Sequence, residues 1–313
     1  HDAVHRSGVR MTQRPGNVAA SVHARLLNQA RPGDRSFNDL LQLYAMERFL
    51  YRLSISKHAD RFVLKGAMLL RVWDQTSYRT TRDIDLLGRV SNEAAVVESI
   101  IRDVCEQEVD PDGLLFDAAS VQSNAIVEDA DYAGVRVAFR GTLGNTRLSM
   151  QLDIGFGDRI TPAPLTVEFP VLLAMPAARL QTYPPETVVA EKFQVMLQRA
   201  EANSRMKDFH DIWWIAGRFD FAGQTLAEAI RVTCSHRDTP ILAEPTAFTA
   251  AFAQNPSKVT QWKAFRKRLT PTDCPEDFED LVEQVARFLR PVAASIHDSV
   301  DFDRRWPAGG PWS

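Results

Sequence analysis

Two aspartates spaced one residue apart, Asp83 and Asp85, close the stretch FVLKGAMLLRVWDQTSYRTTRDIDLLGRV, which runs from Phe62 to Val90 and constrains this chain more than any other segment. Side chains on a strand alternate between faces, so both carboxylates point one way while Ile84 and Leu86 point the other. Hard oxygen ligands bunched at a strand end suit a divalent ion such as Mg²⁺ set against phosphate. A bare D-x-D also reads as the solvated face of an ordinary strand, and spacing alone does not choose between the two. The residues upstream favour the ion. Val63-Leu64-Lys65-Gly66 reads as a short apolar strand ending in a glycine, and Ala67 to Trp73 as the helix that follows. A turn of that kind presents backbone N–H groups to an anion such as a triphosphate.

The remaining pattern predicts an α+β chain. Val18, Val22, Leu26 and Leu27 form one helical stripe, and Ser36 is placed to cap a longer helix carrying Leu40, Leu41, Tyr44, Phe49, Leu50 and Leu53. Arg48 and Arg52, at i and i+4 on that helix, read either as a solvated face or as phosphate contacts. Beyond Gly88, Ser91 is expected to cap a helix with Ala95, Val96, Ile100, Ile101 and Val104. Three short strands are expected at Ala125–Glu128, Gly134–Phe139 and Arg147–Phe156, in an antiparallel meander. On the last, apolar residues alternate and leave Asp153 on the polar face with Ser149 and Gln151; Asp158 is the fallback acid. A proline-punctuated stretch from Pro162 to Pro176 leads to a helix begun by Pro184-Pro185-Glu186, where Lys192 interrupts an apolar stripe and reads either as a snorkelling lysine or as an inward ammonium that needs a carboxylate or phosphate partner. On the next helix Asp208 and Asp211 stack at i and i+3, a repulsion that Lys192, Arg205 or Lys207 would relieve. The rest is amphipathic helix, with one dense basic cluster, Lys263, Arg266, Lys267 and Arg268, beside Trp262 and Phe265: a solvated face or a track for an RNA backbone.

Composition sets bounds on partners and surroundings. The 313 residues carry a net charge of −3, so any nucleic-acid surface has to be a local basic patch. Three well-separated cysteines, Cys105, Cys234 and Cys274, are expected as free thiols. With no long apolar run and no basic-then-apolar leader, the expectation is a cytoplasmic protein without a membrane partner. The expected division is a tail over 1–16, a core lobe over 17–180 and a helical lobe over 181–313.

The order of glycine turn, short helix and Arg79-Thr80-Thr81-Arg82-Asp83-Ile84-Asp85 resembles the nucleotidyltransferase core shared with polymerase β: a mixed or antiparallel sheet flanked by helices. More closely, Arg48-Phe49-Leu50-Tyr51-Arg52-Leu53, Phe62-Val63-Leu64-Lys65-Gly66, Lys192 and Lys207-Asp208-x-x-Asp211 resemble the AbiEii/MenT family of toxin nucleotidyltransferases, over Phe37 to Phe221. The resemblance implies one or two Mg²⁺ ions on Asp83, Asp85 and Asp153, an NTP anchored by Lys65, Gly66, Arg82, Lys192 and Asp208, and catalytic roles for Lys192 and Asp211. It further implies transfer of NMP to the 3′ end of tRNA, a block to aminoacylation, and control by a cognate antitoxin. Ser77, in the polar loop before the aspartates, is the expected position for a silencing phosphoryl group. A small-molecule nucleotidyltransferase and a catalytically inert nucleotide-binding protein on the same scaffold are the two rival readings.

Overall fold

The computed structural model describes residues 15–30, 36–74, 81–127, 133–269 and 274–313. Helices α1 (Pro15–Ala30) and α2 (Phe37–Ile55) come first. The Ser36 hydroxyl accepts from the Asp39 backbone N–H at 3.1 Å and caps α2. Next come β1 (Phe62–Lys65), α3 (Met68–Trp73), β2 (Ile84–Gly88), α4 (Ala94–Cys105), β3 (Leu114–Val127), β4 (Ala133–Leu143), β5 (Thr146–Phe156), β6 (Leu165–Glu168) and β7 (Arg179–Thr182). Among the described residues the strands form a seven-stranded sheet in the order β3-β4-β5-β2-β1-β7-β6. It is mixed: β2 runs antiparallel to β1 but parallel to β5, and β1 is parallel to β7.

The helical part follows: α5 (Pro185–Arg199), α6 (Met206–Ala216), a short β8 (Phe221–Ala222), α7 (Gly223–His236), α8 (Ala250–Ala253), α9 (Pro256–Arg266), α10 (Phe278–His297) and β9 (Arg305–Trp306), which pairs with β8. The α+β architecture with a helical C-terminal part is the one the sequence predicts. Strand β7, which crosses the boundary expected at 180, belongs to the central sheet and ends at Thr182.

Three local expectations change. The meander is longer than its short apolar runs suggest, since β3 begins at Leu114 and its polar residues face solvent on alternate positions. Ser91 does not cap α4: the helix starts after Glu93, and Ser91 Oγ accepts from the Glu93 N–H at 3.2 Å in the turn before it. Arg48 and Arg52 are neither solvated nor phosphate contacts. Both are buried, Arg52 in a fork on Asp112 at 2.6 and 3.0 Å, and Arg48 on Glu47 at 2.9 Å and the Pro176 carbonyl at 2.8 Å. With Glu47 accepting from the Leu172 N–H at 2.7 Å, these ions fasten the loop between β6 and β7 to α2. The three cysteines are buried and none is in a disulfide.

Candidate active site

Strand register builds the site. Lys65 on β1 pairs with Asp85 on β2, Asp85 lies beside Asp153 on β5, and Asp153 pairs with Arg136 on β4, so four charged side chains cross the sheet in one row. Asp83 sits at the bend just before β2. One carboxylate oxygen from each of Asp83, Asp85 and Asp153 falls within 4.8 Å of the others. Gly66 makes that possible. Its φ is +71°, and a Cβ there would lie 1.8 Å from Asp85 Oδ2, so the turn after β1 has to lack a side chain for the Asp85 carboxylate to occupy its place.

The electrostatics of the three acids favour a cation. Burial, then the Asp83 charge, push the Asp85 carboxyl up to about 6, against the pull of Lys65. Asp153 is held in a fork by Arg136, with Nε at 2.8 Å and Nη2 at 2.7 Å, and the Thr81 hydroxyl donates to Asp83. A carboxylate offers about four lone-pair positions, so those hydrogen bonds leave oxygen lone pairs on both residues. Three half-buried carboxylates with hard oxygen donors fit a divalent ion such as Mg²⁺, which relieves their mutual repulsion.

Facing this row across a cleft of about 760 Å³ is α5. Lys192 interrupts the stripe as expected and finds two anions: Nζ lies 2.8 Å from Asp208 and 2.8 Å from Asp211, both on α6. Asp208 is held also by Arg205 Nε at 2.7 Å. Burial would raise the Asp208 carboxyl, but Lys192 and Arg205 outweigh it and hold it below the usual carboxylate range. The two aspartates are buried, Asp211 with its side chain 1% exposed, so they steady Lys192, whose ammonium lines the cleft. Asp208 lies in the first turn of α6, which has no side-chain cap.

A second network escaped the sequence reading. Lys65 Nζ lies 2.8 Å from Asp158 and 3.2 Å from Glu191, while Arg237, just past α7, contacts the same two acids at 2.8 and 3.3 Å. The Tyr183 hydroxyl donates to Glu191 at 3.2 Å. Burial opposes ionisation of Asp158, yet the Lys65 and Arg237 cations hold its carboxyl well below its ordinary value. Asp158, the fallback metal acid, is thus bound up with two cations and stands outside the acidic triad. Lys65 and Gly66 do line the cleft, but the Lys65 ammonium is directed at carboxylates. The signal available in the sequence was the Glu191-Lys192 pair: consecutive opposite charges on a buried helix point into two different networks.

Arg82 is exposed and lines the cleft beside Lys207. Of the basic cluster, Lys263, Lys267 and Arg268 are exposed, while Arg266 faces Glu276 at 3.9 Å. Ser77 lies outside the described residues. Trp214 is core, and Trp213 donates to Gln284 at 2.8 Å. No helix among the described residues is long and apolar enough to cross a membrane.

Comparison with known proteins gives the chain a place. No curated protein matches it. Among solved structures, JHP933 from Helicobacter pylori aligns at 14% identity and TM-score 0.47, covering 85% of this chain and 94% of that one. A proposed nucleotidyltransferase from H. pylori aligns at 14% identity and TM-score 0.47, covering 86% and 97%. The family model described as nucleotidyl transferase AbiEii toxin, type IV toxin-antitoxin system, matches residues 48–284, a span that begins on α2, holds the acidic triad and Lys192, and ends within α10. By that match this chain belongs to the AbiEii family of nucleotidyltransferase toxins.

Proposed function

We propose that this toxin transfers a nucleoside monophosphate from an NTP, with Mg²⁺, to the 3′-terminal hydroxyl of tRNA in the cytoplasm, so blocking aminoacylation in the manner of MenT-type enzymes, and that a cognate antitoxin restrains it. The observation that carries the reading is the acidic triad Asp83, Asp85 and Asp153 facing Lys192 across one cleft. A divalent ion held by Asp83, Asp85 and Asp153 would supply Lewis acidity to the α-phosphate and to the attacking hydroxyl. The acceptor oxygen bonds to the α-phosphorus, the bond from that phosphorus to the bridging oxygen breaks, pyrophosphate leaves with the electron pair, and the hydroxyl proton passes to solvent.

The protein's own groups hold and aim these reactants. Lys192, steadied by Asp208 and Asp211, meets the triphosphate as a compact point charge. Arg82 and Lys207 add positive charge along the same wall. Lys65 acts at one remove: by holding Glu191, its ammonium fixes the turn of α5 that carries Lys192. The test is purified protein with each labelled NTP in turn, Mg²⁺, and RNA fractions resolved on a gel. Label at the 3′ end of tRNA is expected; label only on small molecules, or equal labelling with EDTA present, refutes the reading.

A further inference from the structure

Beside the catalytic cleft lies a second one of about 800 Å³, bounded by the start of α6, the C-terminal half of α9, Asp39 of α2 and Arg82. The two clefts share Arg82, Lys207 and Arg205, the last of which also holds Asp208 at 2.7 Å, so they join along a basic wall. Arg268 adds a fourth basic side chain at the far side, and the one carboxylate in the lining, Asp39, already accepts the Ser36 hydroxyl at 2.7 Å. On a chain with a net charge of −3, this concentration of positive charge from three separate elements marks a path for a polyanion.

The cleft also offers an aromatic face. Phe265 is half-buried in it, its ring fixed by Trp262 at 5.7 Å and His210 at 5.7 Å, with the Arg268 guanidinium over it at 5.8 Å. A rigid ring beside a basic wall is how proteins hold single-stranded nucleic acid, with stacking on the ring and the backbone following the charges. Neither the acidic triad nor Lys192 lines this second cleft, so an NTP seated on them leaves it open.

We infer that this cleft is the track of the acceptor strand: the unpaired nucleotides just before the terminal hydroxyl run past Arg82, Arg205 and Lys207, and a base stacks on Phe265 under Arg268. This rests on the transfer to RNA proposed above, and it narrows the basic cluster of the sequence to Arg268, since none of Lys263, Arg266 and Lys267 lines the cleft.

The test is steady-state transfer and binding anisotropy with deacylated tRNA over a range of salt, for the full chain and its Phe265→Ala, Arg268→Glu, Arg268→Lys and Lys263→Ala variants. Phe265→Ala is expected to raise the KM for RNA about tenfold, with the KM for NTP as the internal reference. Arg268→Glu should do the same and lower the slope of log affinity against log salt by about one, Arg268→Lys should restore that slope, and Lys263→Ala should behave as wild type. Wild-type RNA kinetics in Phe265→Ala and Arg268→Glu overturn the track while leaving the transfer reading intact. Equal weakening by Lys263→Ala overturns it in favour of a diffuse basic surface. Loss of antitoxin binding in Arg268→Glu with unchanged RNA kinetics assigns the cleft to the antitoxin instead. A wild-type protein that neither labels nor binds RNA brings down both readings.

Discussion

Replacing Gly66 with alanine adds one methyl group and tests the geometry of the site directly. The backbone there has a φ of +71°, in the left-handed region, which costs a residue with a Cβ about 1–2 kcal/mol. The added Cβ would lie 1.8 Å from Asp85 Oδ2 and 2.5 Å from its Cγ. Restoring ordinary contact moves the carboxylate or the turn by roughly 1.5 Å, and a misplacement of ~1 Å at a reacting centre costs on the order of a hundredfold in rate. Gly66→Ala should therefore lose at least ~100-fold in kcat while its melting temperature falls by only a few degrees. Gly155→Ala is the control on the neighbouring strand: its Cβ would meet Asp158 Oδ2 and Lys65 Nζ at 3.6 Å, ordinary contact, and its φ is not positive, so rate and stability should hold. Nucleotide transfer and thermal unfolding measured on the same preparations decide it. If Gly66→Ala transfers within threefold of wild type, the placement of Asp85 against the turn is wrong.

Asp85→Ala should abolish transfer without loss of stability, because it removes a metal ligand and relieves carboxylate repulsion together; an unchanged rate, or a large drop in melting temperature, contradicts this. Lys192→Met should do more than remove a phosphate contact. It removes the cation that Asp208 and Asp211 share, leaving Arg205 on Asp208 and breaking the buried pair with Asp211, a loss of up to about 3–5 kcal/mol, and adding Asp211→Asn should recover part of the denaturant midpoint. Lys65→Met should destabilise comparably, by leaving Asp158 and Glu191 against Arg237 alone. Asp158 has a depressed pKa in the folded state, so its stabilisation is complete above the unfolded value near ~3.9 and is lost as pH falls below it. Urea midpoints should accordingly drop more steeply between about pH 4 and pH 2.5 in wild type than in Asp158→Asn, and parallel curves would refute the pairing.

The parts of the site that were legible in the sequence are those written in local periodicity. Asp83 and Asp85 converge because side chains alternate along an extended segment, although β2 itself begins only at Ile84, and Asp153 showed itself as the acid in an alternating strand. Lys192, Asp208 and Asp211 were legible because a lysine in an apolar stripe and two stacked acids each need a partner, and helices α5 and α6 are consecutive. What stayed hidden depended on residues far apart in the chain. Lys65 and Glu191 are separated by 126 positions and Asp158 and Arg237 by 79, and no local pattern links them. Arg48 and Arg52 misled for the same reason, since their i, i+4 spacing imitates a solvated stripe while their partners come from Asp112 and the loop ahead of β7.

The ring of Lys65, Asp158, Arg237 and Glu191 balances two cations against two carboxylates, all four side chains less than a fifth exposed. Ions of the solvent screen exposed charges within about a Debye length but reach buried pairs far less. The joint between the sheet and the helical part should therefore ignore ionic strengths that strip a polynucleotide from an open basic surface. High salt becomes a means of separation: it should empty the protein of RNA while Lys192 stays aimed at the triad, so that nucleotide binding survives in salt where transfer to RNA has already failed.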